Sequence, residues 1–487
     1  MKPRASDILI DPSPQFELSP HLYMQFMEPL GVTDTSVEAG WDFRNDCWRP
    51  DLIEATRELA PPMIRWGGCF LSYYRWREAV GPRTKRVPIF NQCWDGVETN
   101  QIGTHEFIDF CQQTNAEPLI CVNLEGDGKV AWKKDPRGRL RTGSAREAAE
   151  WVDYCNNPDN PDRRRHGAKA PYNVKFWQLG NETSYGEQGK NCFDCDSTIH
   201  HTIAFAKAMR KKDPSIQLLA WGDSGWAPRM IEEAGEHFEY ISFHHHFNSG
   251  LKNSPLTTNE YRANPEKTWR HLMNAWKSTD HSIRKMRAEV AGSGKFLAMT
   301  ESHFALRGRN RCEVLATWAA GVANARILNV HERHGDLLKI ATLADFCGNR
   351  WFVNALMIPT PHWNLKTYLM PVARVMELYR KHSGTGYCAT HHTPKGLDIT
   401  ASRLGSKLFL HVVNTEMEKA VKADFSIPGF EITKARVFEI CDDPMREIDE
   451  FQPRLFSAVE KEIPALSSWK FPAASVSAVE LTLRAQK

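Results

Sequence analysis

Short apolar runs alternate with amphipathic stretches from about residue 20 to about residue 380. The apolar runs fall at 21–28, 63–66, 118–123, 175–180, 216–222, 239–244, 296–301 and 338–343. Most are almost continuously hydrophobic, as strands buried on both faces must be. The stretches between them carry helix start signals. Ser144 followed by Glu147 reads as a capping box opening a helix through Tyr154. A second helix is expected from Thr104 through Gln113, burying Phe107, Ile108 and Cys111. Strand-then-helix units repeated eight times argue for an α/β fold closed as a (β/α)8 TIM barrel, although a doubly wound open sheet uses the same alternation. After about Gly384 the pattern changes. The segments 397–402, 407–414 and 475–483 alternate apolar with polar residues and are separated by turn formers. That texture predicts a C-terminal antiparallel β-sandwich. The expected division is a barrel over 17–383 and a sandwich over 384–487.

Length agrees with this division, since a barrel takes about 250 to 400 residues and the 487 present leave enough for a smaller domain. Charge is nearly balanced, with 62 Lys and Arg against 59 Asp and Glu. No nucleic acid or other polyanion is therefore expected as a partner. The basic run Arg163-Arg164-Arg165-His166 sits among Asn, Asp, Pro and Gly and reads as a solvated loop. No stretch approaches the roughly 20 apolar residues of a membrane span, so no membrane partner is expected. The first residues lack the apolar core of a signal peptide, although a trimmed leader would leave the same sequence. Twelve scattered cysteines, several inside apolar runs (Cys111, Cys121, Cys155), suit reduced buried thiols and a cytoplasmic protein. Cys192 and Cys195 have the spacing of half a zinc site, but no second pair follows, so no metal is expected.

In a barrel, chemistry gathers where strands end at their C-terminal side. The eight expected strands end at Glu28, Trp66-Gly67-Gly68, Asn123, Asn181-Glu182, Trp221-Gly222-Asp223, His244-His245-His246, Glu301 and Asp345. Carboxylates after strands four and seven, Glu182 and Glu301, would face each other across the barrel mouth. Two facing carboxylates are what glycosidic cleavage requires: one protonated to donate to the leaving oxygen, the other ionised to attack. Carboxyls about 5–5.5 Å apart give retention, and about 6.5–9.5 Å gives inversion. Desolvation and the second negative charge are expected to keep Glu182 protonated near neutral pH. Glu301 is expected to stay ionised through hydrogen bonds, with Arg65 a candidate donor. Trp66, Trp94 and Trp221 lie at or near strand ends, where an indole can stack on a sugar or simply pack the core. Alternation puts His244 and His246 on one side of their strand and His245 on the other. Two histidines without a third ligand suit hydrogen bonding to sugar or to a carboxylate better than a metal. No glycine loop at a helix start suggests phosphate binding, so no organic cofactor is expected either.

These residues resemble a known family, the α-L-arabinofuranosidases of glycoside hydrolase family 51, whose clan places acid/base and nucleophile after strands four and seven. The likeness runs along almost the whole chain. Its carriers are 21–31 around Glu28, 98–107, 118–124, the segment 171–182 ending Gln178-Leu179-Gly180-Asn181-Glu182, 241–244 and 296–301. The resemblance implies Glu182 as acid/base and Glu301 as nucleophile of a retaining exo-hydrolase acting on terminal α-L-arabinofuranosyl residues of oligosaccharides. It implies sugar contacts for Asn181 and Glu28, and places His244 beside the catalytic pair. It further implies a strand from residues 1–16 joining the sandwich, and a homo-oligomer. Trp66, Cys69, Trp94, Asn123, His246, His303 and Asp345 complete the expected substrate-binding set. Four of the positions depart from the family pattern. An Arg-Tyr-Pro-Gly-Gly-Asn turn becomes Arg65-Trp66-Gly67-Gly68-Cys69, Trp-Asn after the nucleophile becomes Ser302-His303, a tyrosine becomes His246 and a glutamine becomes Asp345. The same mechanism on another glycoside (a β-xyloside, a β-glucan or a different furanoside) stays open on these departures, as does a carbohydrate-binding protein without turnover.

Overall fold

The computed structural model of the chain describes residues 4–30, 37–186, 191–306, 312–360 and 365–486. Eight parallel positions form the barrel. In order they are Gln25–Met27, Met63–Trp66, Glu117–Val122, Phe176–Leu179, Gln217–Trp221, Tyr240–Phe247, Phe296–Phe304, and an eighth strand in two pieces, Leu338–Ala341 and Asp345–Gly348. The first piece of the eighth strand pairs with the seventh, and the second pairs with the first strand through Asp345 opposite Phe26. A hydrogen bond from the Met24 amide to the Ala341 carbonyl, 3.0 Å, completes the ring. The interior is filled, not hollow. Met24, Met63, Leu119, Phe176, Leu219, Ala298 and Ile340, with Tyr240 packed against them, contribute one side chain from each strand or its threshold and form a core of their own. This plug supports the polar floor above it.

Three strands differ from the sequence expectation. The first is shorter because Pro20–Tyr23 forms a 3₁₀ turn, started by proline and capped by the Ser19 hydroxyl, which accepts the His21 amide. The sixth and seventh are longer. His244 to Phe247 pair in register with Glu301 to Phe304, so polar side chains that interrupt the apolar pattern still sit in the ladder. A bulge at Phe243/His244 precedes them. The run at 163–166 is not a loop. Pro161–Arg165 is a short helix capped by Asn160, and Arg163 is fully buried, donating to the carbonyls of Tyr154 and Asn157 at 2.8 and 2.7 Å. Only its neighbours Arg164 and Arg165 are exposed. The helix Ala145–Asn156 starts as expected, with the Ser144 hydroxyl accepting the Glu147 amide, but the Glu147 carboxylate turns to Arg75 instead of closing the box.

A second large sheet has nine strands among the described residues. Asp7–Glu17 lies in it, antiparallel to Gly386–His392 and parallel to Val421–Ser426. Leu397–Leu404, Lys407–Asn414 and Ser475–Ala485 follow as an antiparallel series. Among the described residues no helix is long and apolar enough to cross a membrane. The two parts meet over a buried polar cluster. Glu332, on the barrel helix Trp318–Arg333, accepts from Tyr23 of the barrel and Thr400 of the sheet. It also faces His411 Nδ1 at 2.8 and 3.0 Å, while His411 Nε2 donates to the His382 carbonyl at 3.0 Å.

Burial pushes the Glu332 carboxyl up, but the charge of His411 and the hydrogen bonds outweigh it and hold the group below its ordinary value. A depressed carboxyl contributes stability that is fully present above the ordinary value of 4.5 and is lost as pH falls through the folded one. Replacing Glu332 by alanine strands three partners and should cost about 3–5 kcal/mol in denaturant unfolding at pH 7. The variant should also lose part of the acid dependence of stability. Parallel stability–pH curves for variant and wild type would contradict this account.

Candidate active site

Strand alternation points Arg65 and Gln178 into the barrel above the apolar plug. Arg65 is fully buried. Its Nε donates to Gln178 Oε1 at 2.8 Å, one terminal nitrogen to Glu301 Oε1 at 2.8 Å and the other to Asn181 Oδ1 at 2.7 Å. The two glycines after Trp66 make room for charged groups. A Cβ at Gly67 would overlap the Arg65 guanidinium, and one at Gly68 would overlap the Glu28 carboxyl.

Glu301 sits on the seventh strand. Glu182 follows the fourth strand in a left-handed backbone conformation, φ 53°, just after Gly180 at φ 76°. His244 stands between them. Its Nδ1 is 2.9 Å from Glu182 Oε1 and 3.5 Å from Glu301 Oε2, and its Nε2 is 3.1 Å from the Thr300 hydroxyl. One oxygen of Glu182, one nitrogen of His244 and one oxygen of Glu301 all lie within 4.8 Å of one another. The Cys69 thiol donates to Glu182 Oε2 at 3.6 Å, and the Trp221 indole meets His244 edge-on at 4.8 Å.

The electrostatics correct one expectation. Burial does push the Glu182 carboxyl up, but the hydrogen bond and charge of His244, with Lys129 and His246 behind it, outweigh burial and hold it down to about 2. Glu28 takes the opposite course. Burial first, and then the negative charge of Glu301, raise its carboxyl well above the usual range. Its Oε1 accepts from the Trp94 indole and the Phe70 amide, both at 3.0 Å. Burial and the neighbouring His303 keep His246 neutral, with the two imidazoles 4.4 Å apart.

These groups open onto a cavity of about 800 Å3. Its floor is acidic, and its walls include Trp94, Trp132, Trp351 and Tyr185. Glu182, His244 and Glu301 form the one His/Cys/Asp/Glu group among the described residues compact enough to share a metal ion. The Arg65 guanidinium already occupies Glu301 Oε1 and would repel a cation there. The arrangement fits proton transfer and nucleophilic attack between facing carboxylates.

A family profile described as Alpha-L-arabinofuranosidase 1 domain matches residues 55–266. Alpha-L-arabinofuranosidase C of Emericella nidulans is 35% identical over 217 residues, which is 43% of this chain and 40% of that protein. An intracellular exo-alpha-(1->5)-L-arabinofuranosidase of Acetivibrio thermocellus is 33% identical over 248 residues, covering 47% of this chain and 46% of that one. The matched stretch thus spans less than half the length of these curated relatives. Structural likeness is far wider. The thermostable family 51 α-L-arabinofuranosidase of Thermotoga petrophila RKU-1 superposes with a TM-score of 0.77 at 27% identity, covering 97% of this chain and 99% of that one. Along almost its whole length the chain is thus similar to a glycoside hydrolase of family 51.

Within this site the expected residues fall into three groups. Glu28, Cys69, Trp94 and Glu182 line the cavity, as do His246, Glu301, His303 and Asp345. Asn181 and His244 lie directly behind that surface, buried against Arg65 and the carboxylates. Trp66 and Asn123 are not brought in. Trp66 points outward, its ring against Tyr74 and Phe107 at 6.3 and 5.3 Å, because its neighbour Arg65 takes the inward position. Asn123 spends its amide on the carbonyls of Tyr74 and Arg141 and accepts the Gly126 amide, tying down a loop. Trp221 is wholly buried and donates to Ser184 at 2.8 Å. Cys192 and Cys195 are free thiols. Sequence reasoning missed Lys129, Trp132, Tyr185 and Trp351, which loops carry to the cavity without a strand-end pattern to announce them.

Gly68 and Gly225 both have left-handed backbone, φ +100° and +84°, but nothing lies within 4 Å of a Cβ at Gly225. Gly225→Ala should therefore lose only backbone strain, about 1–2 kcal/mol. Gly68→Ala must in addition displace Glu28 and should be the less stable in thermal unfolding. Equal losses in the two variants would show that Glu28 moves aside freely.

Proposed function

We propose that the protein is a retaining exo-glycoside hydrolase that removes terminal α-L-arabinofuranosyl residues from oligosaccharides by double displacement. The observation that carries this reading is the approach of Glu182 and Glu301 oxygens to within 4.8 Å, on the retaining side of the range. Arg65 holds Glu301 Oε1, which leaves Oε2 as the oxygen that attacks the anomeric carbon. As that bond forms, Glu182 gives a proton to the departing glycosidic oxygen. Glu182 then takes a proton from water, the water oxygen attacks the same carbon, and Glu301 leaves. Two displacements at one carbon restore its configuration.

The low Glu182 carboxyl calls for a source of the first proton, and the geometry offers one. Glu182 and His244 share a hydrogen along a 2.9 Å contact. A sugar in the cavity removes water from around the pair and favours the neutral form, with the hydrogen on Glu182. Protonated Glu28 donates to a sugar hydroxyl, and Asn181, oriented by Arg65, meets the hydroxyl beside the reacting carbon. Similarity to a relative named as intracellular supports a cytoplasmic role on short oligosaccharides.

A second reading keeps the two glutamates and changes the sugar. It is favoured by the paired imidazoles of His246 and His303 in the cavity wall, where the family pattern has other residues. A panel of nitrophenyl glycosides separates the two readings. Glu301→Ala should abolish turnover of whichever substrate is accepted. Glu182→Ala should impair poor leaving groups most, because an activated one needs little protonation. Equal loss along a graded leaving-group series would refute the division of roles. Turnover confined to another glycoside would refute the sugar.

A further inference from the structure

The cavity wall also contains a buried cation that the two-step chemistry does not use. Lys129, in the loop after the third barrel strand, is 2% exposed. Its Nζ donates to the backbone carbonyls of both Asn181 and Glu182 at 3.3 Å and stands 4.7 Å from the Trp132 ring centre. Burying an ammonium is unfavourable unless its charge is balanced and its hydrogens are used. The balancing charge comes from the same loop. Asp127 is fully buried, and its carboxylate lies against the run leading to Glu182, 2.7 Å from where a Cβ on Gly180 would stand.

Loop and catalytic turn are both held in unusual conformations. Glu125, Gly126, Asp127 and Gly128 all have left-handed backbone, φ 50°, 72°, 52° and 72°, and Glu182 has φ 53°. Non-glycine residues rarely adopt this region without support. A Cβ at Gly128 would overlap the Phe193 amide, so the loop can reach this position only with glycine there. The support for the Glu182 turn is then visible: its own carbonyl and the preceding one both accept from a single ammonium.

We propose that Lys129 is a positioning residue for the acid/base. It pins the Asn181-Glu182 turn through two carbonyls, aims the Glu182 carboxyl across the cavity, and sets by its charge the pH at which that carboxyl holds its proton. This rests on the acid/base role proposed for Glu182. Burial works against the Lys129 charge, but Asp127 and then the other anionic groups around it more than restore it, so the ammonium persists. A fixed positive charge favours ionised Glu182. Removing it must therefore let the shared proton stay to higher pH. The other charged or titratable groups that face Glu182 are Cys69, Asp127, Tyr185, His244, His246 and Glu301; burial raises Asp127 to about 6 against the charge of Lys129, and none of these groups is substituted in the test.

The test compares Lys129→Met and Lys129→Gln with wild type on aryl arabinofuranosides of graded leaving-group acidity, with kcat/KM measured against pH. In parallel, the Glu182 carboxyl is titrated by carbon NMR, its signal assigned by its loss in Glu182→Gln. Lys129→Met should lose about ten- to a hundredfold on poor leaving groups and only a few-fold on a dinitrophenyl glycoside. Its basic limb and the Glu182 titration should both move to higher pH. Lys129→Gln keeps a donor for the carbonyls without the charge, so it should recover much of the leaving-group loss but keep the shifted limb. It carries the test by itself should the methionine variant not fold. A uniform loss on every substrate with limb and titration unmoved would reduce Lys129 to packing and overturn the proposal. So would unaltered kinetics in Lys129→Met beside a Glu182→Ala variant with its expected leaving-group profile, which leaves the function itself standing. Silence of the wild type on the whole panel would instead overturn the catalytic reading of Glu182, and this inference with it.

Discussion

A guanidinium with no access to water must find all its partners inside the protein, and the upper barrel is arranged around that demand. Arg65 meets it with Gln178, Asn181 and Glu301, so one side chain of the second strand ties the fourth and seventh strands together across the interior. Losing any one acceptor would leave a buried charge only partly satisfied, a penalty of about 3–5 kcal/mol. Lysine could not replace it, since a single ammonium lacks the planar fork that reaches three acceptors in different directions. The constraint spreads outward. Gly67 is glycine because the guanidinium occupies the place of its Cβ, and Trp66 faces the helices because Arg65 faces the barrel. What holds the strands together is thus the same contact that orients Glu301.

Above this floor four carboxyl groups, Glu28, Glu182, Glu301 and Asp345, share one cavity, and their charges cannot be considered one at a time. Glu28 is raised by burial and by Glu301, whereas Glu182, somewhat more exposed, is lowered by His244, Lys129 and His246. The cavity therefore drives two carboxyls in opposite directions by placing a hydrogen-bonding imidazole and an ammonium beside one and a carboxylate beside the other. Counting only burial and the second carboxylate gives Glu182 the wrong sign, because the decisive hydrogen bond comes from the sixth strand and the ammonium from a loop. A proton needed at Glu182 is then kept next to it, on the line to His244. The position of that hydrogen responds to whatever displaces water from the cavity.

The strands and the two opposed glutamates were legible in the sequence because burial on both faces writes an unbroken apolar pattern and chemistry collects at its ends. Failures occurred where that logic stops. Trp66 sits at a strand end but on the outward side of the alternation, and a one-residue change of parity is enough to move it from cavity to core. Asn123 ends a strand and turns its amide to carbonyls of neighbouring loops. His244 to His246 belong to a strand that continues through polar residues, since the ladder to Glu301–Phe304 is made by backbone and tolerates them. Lys129, Trp132, Tyr185 and Trp351 are carried by loops, and only the run of left-handed residues at 125–128, two of them glycine, marks the sequence there. Glycine spacing shows that the chain turns sharply, but not which side chain the turn delivers.

Strands and loops supply different parts of the cavity. Glu301, Glu182, His244 and Arg65 are on strands or immediately after them and are fixed by the barrel ladder and by one another. Cys69, Trp94, His303 and Asp345, with Lys129 and Trp132, form the surface a substrate meets first. Three of these positions, with His246, are where the chain departs from the family pattern. A changed wall on an unchanged floor alters which glycoside fits while leaving the chemistry performed on it the same. The floor resists change for a physical reason: any substitution there must re-satisfy a buried guanidinium and two facing carboxylates at once, whereas a wall residue answers only to its neighbours and to the ligand. Reaction type is therefore fixed more tightly by this structure than substrate identity.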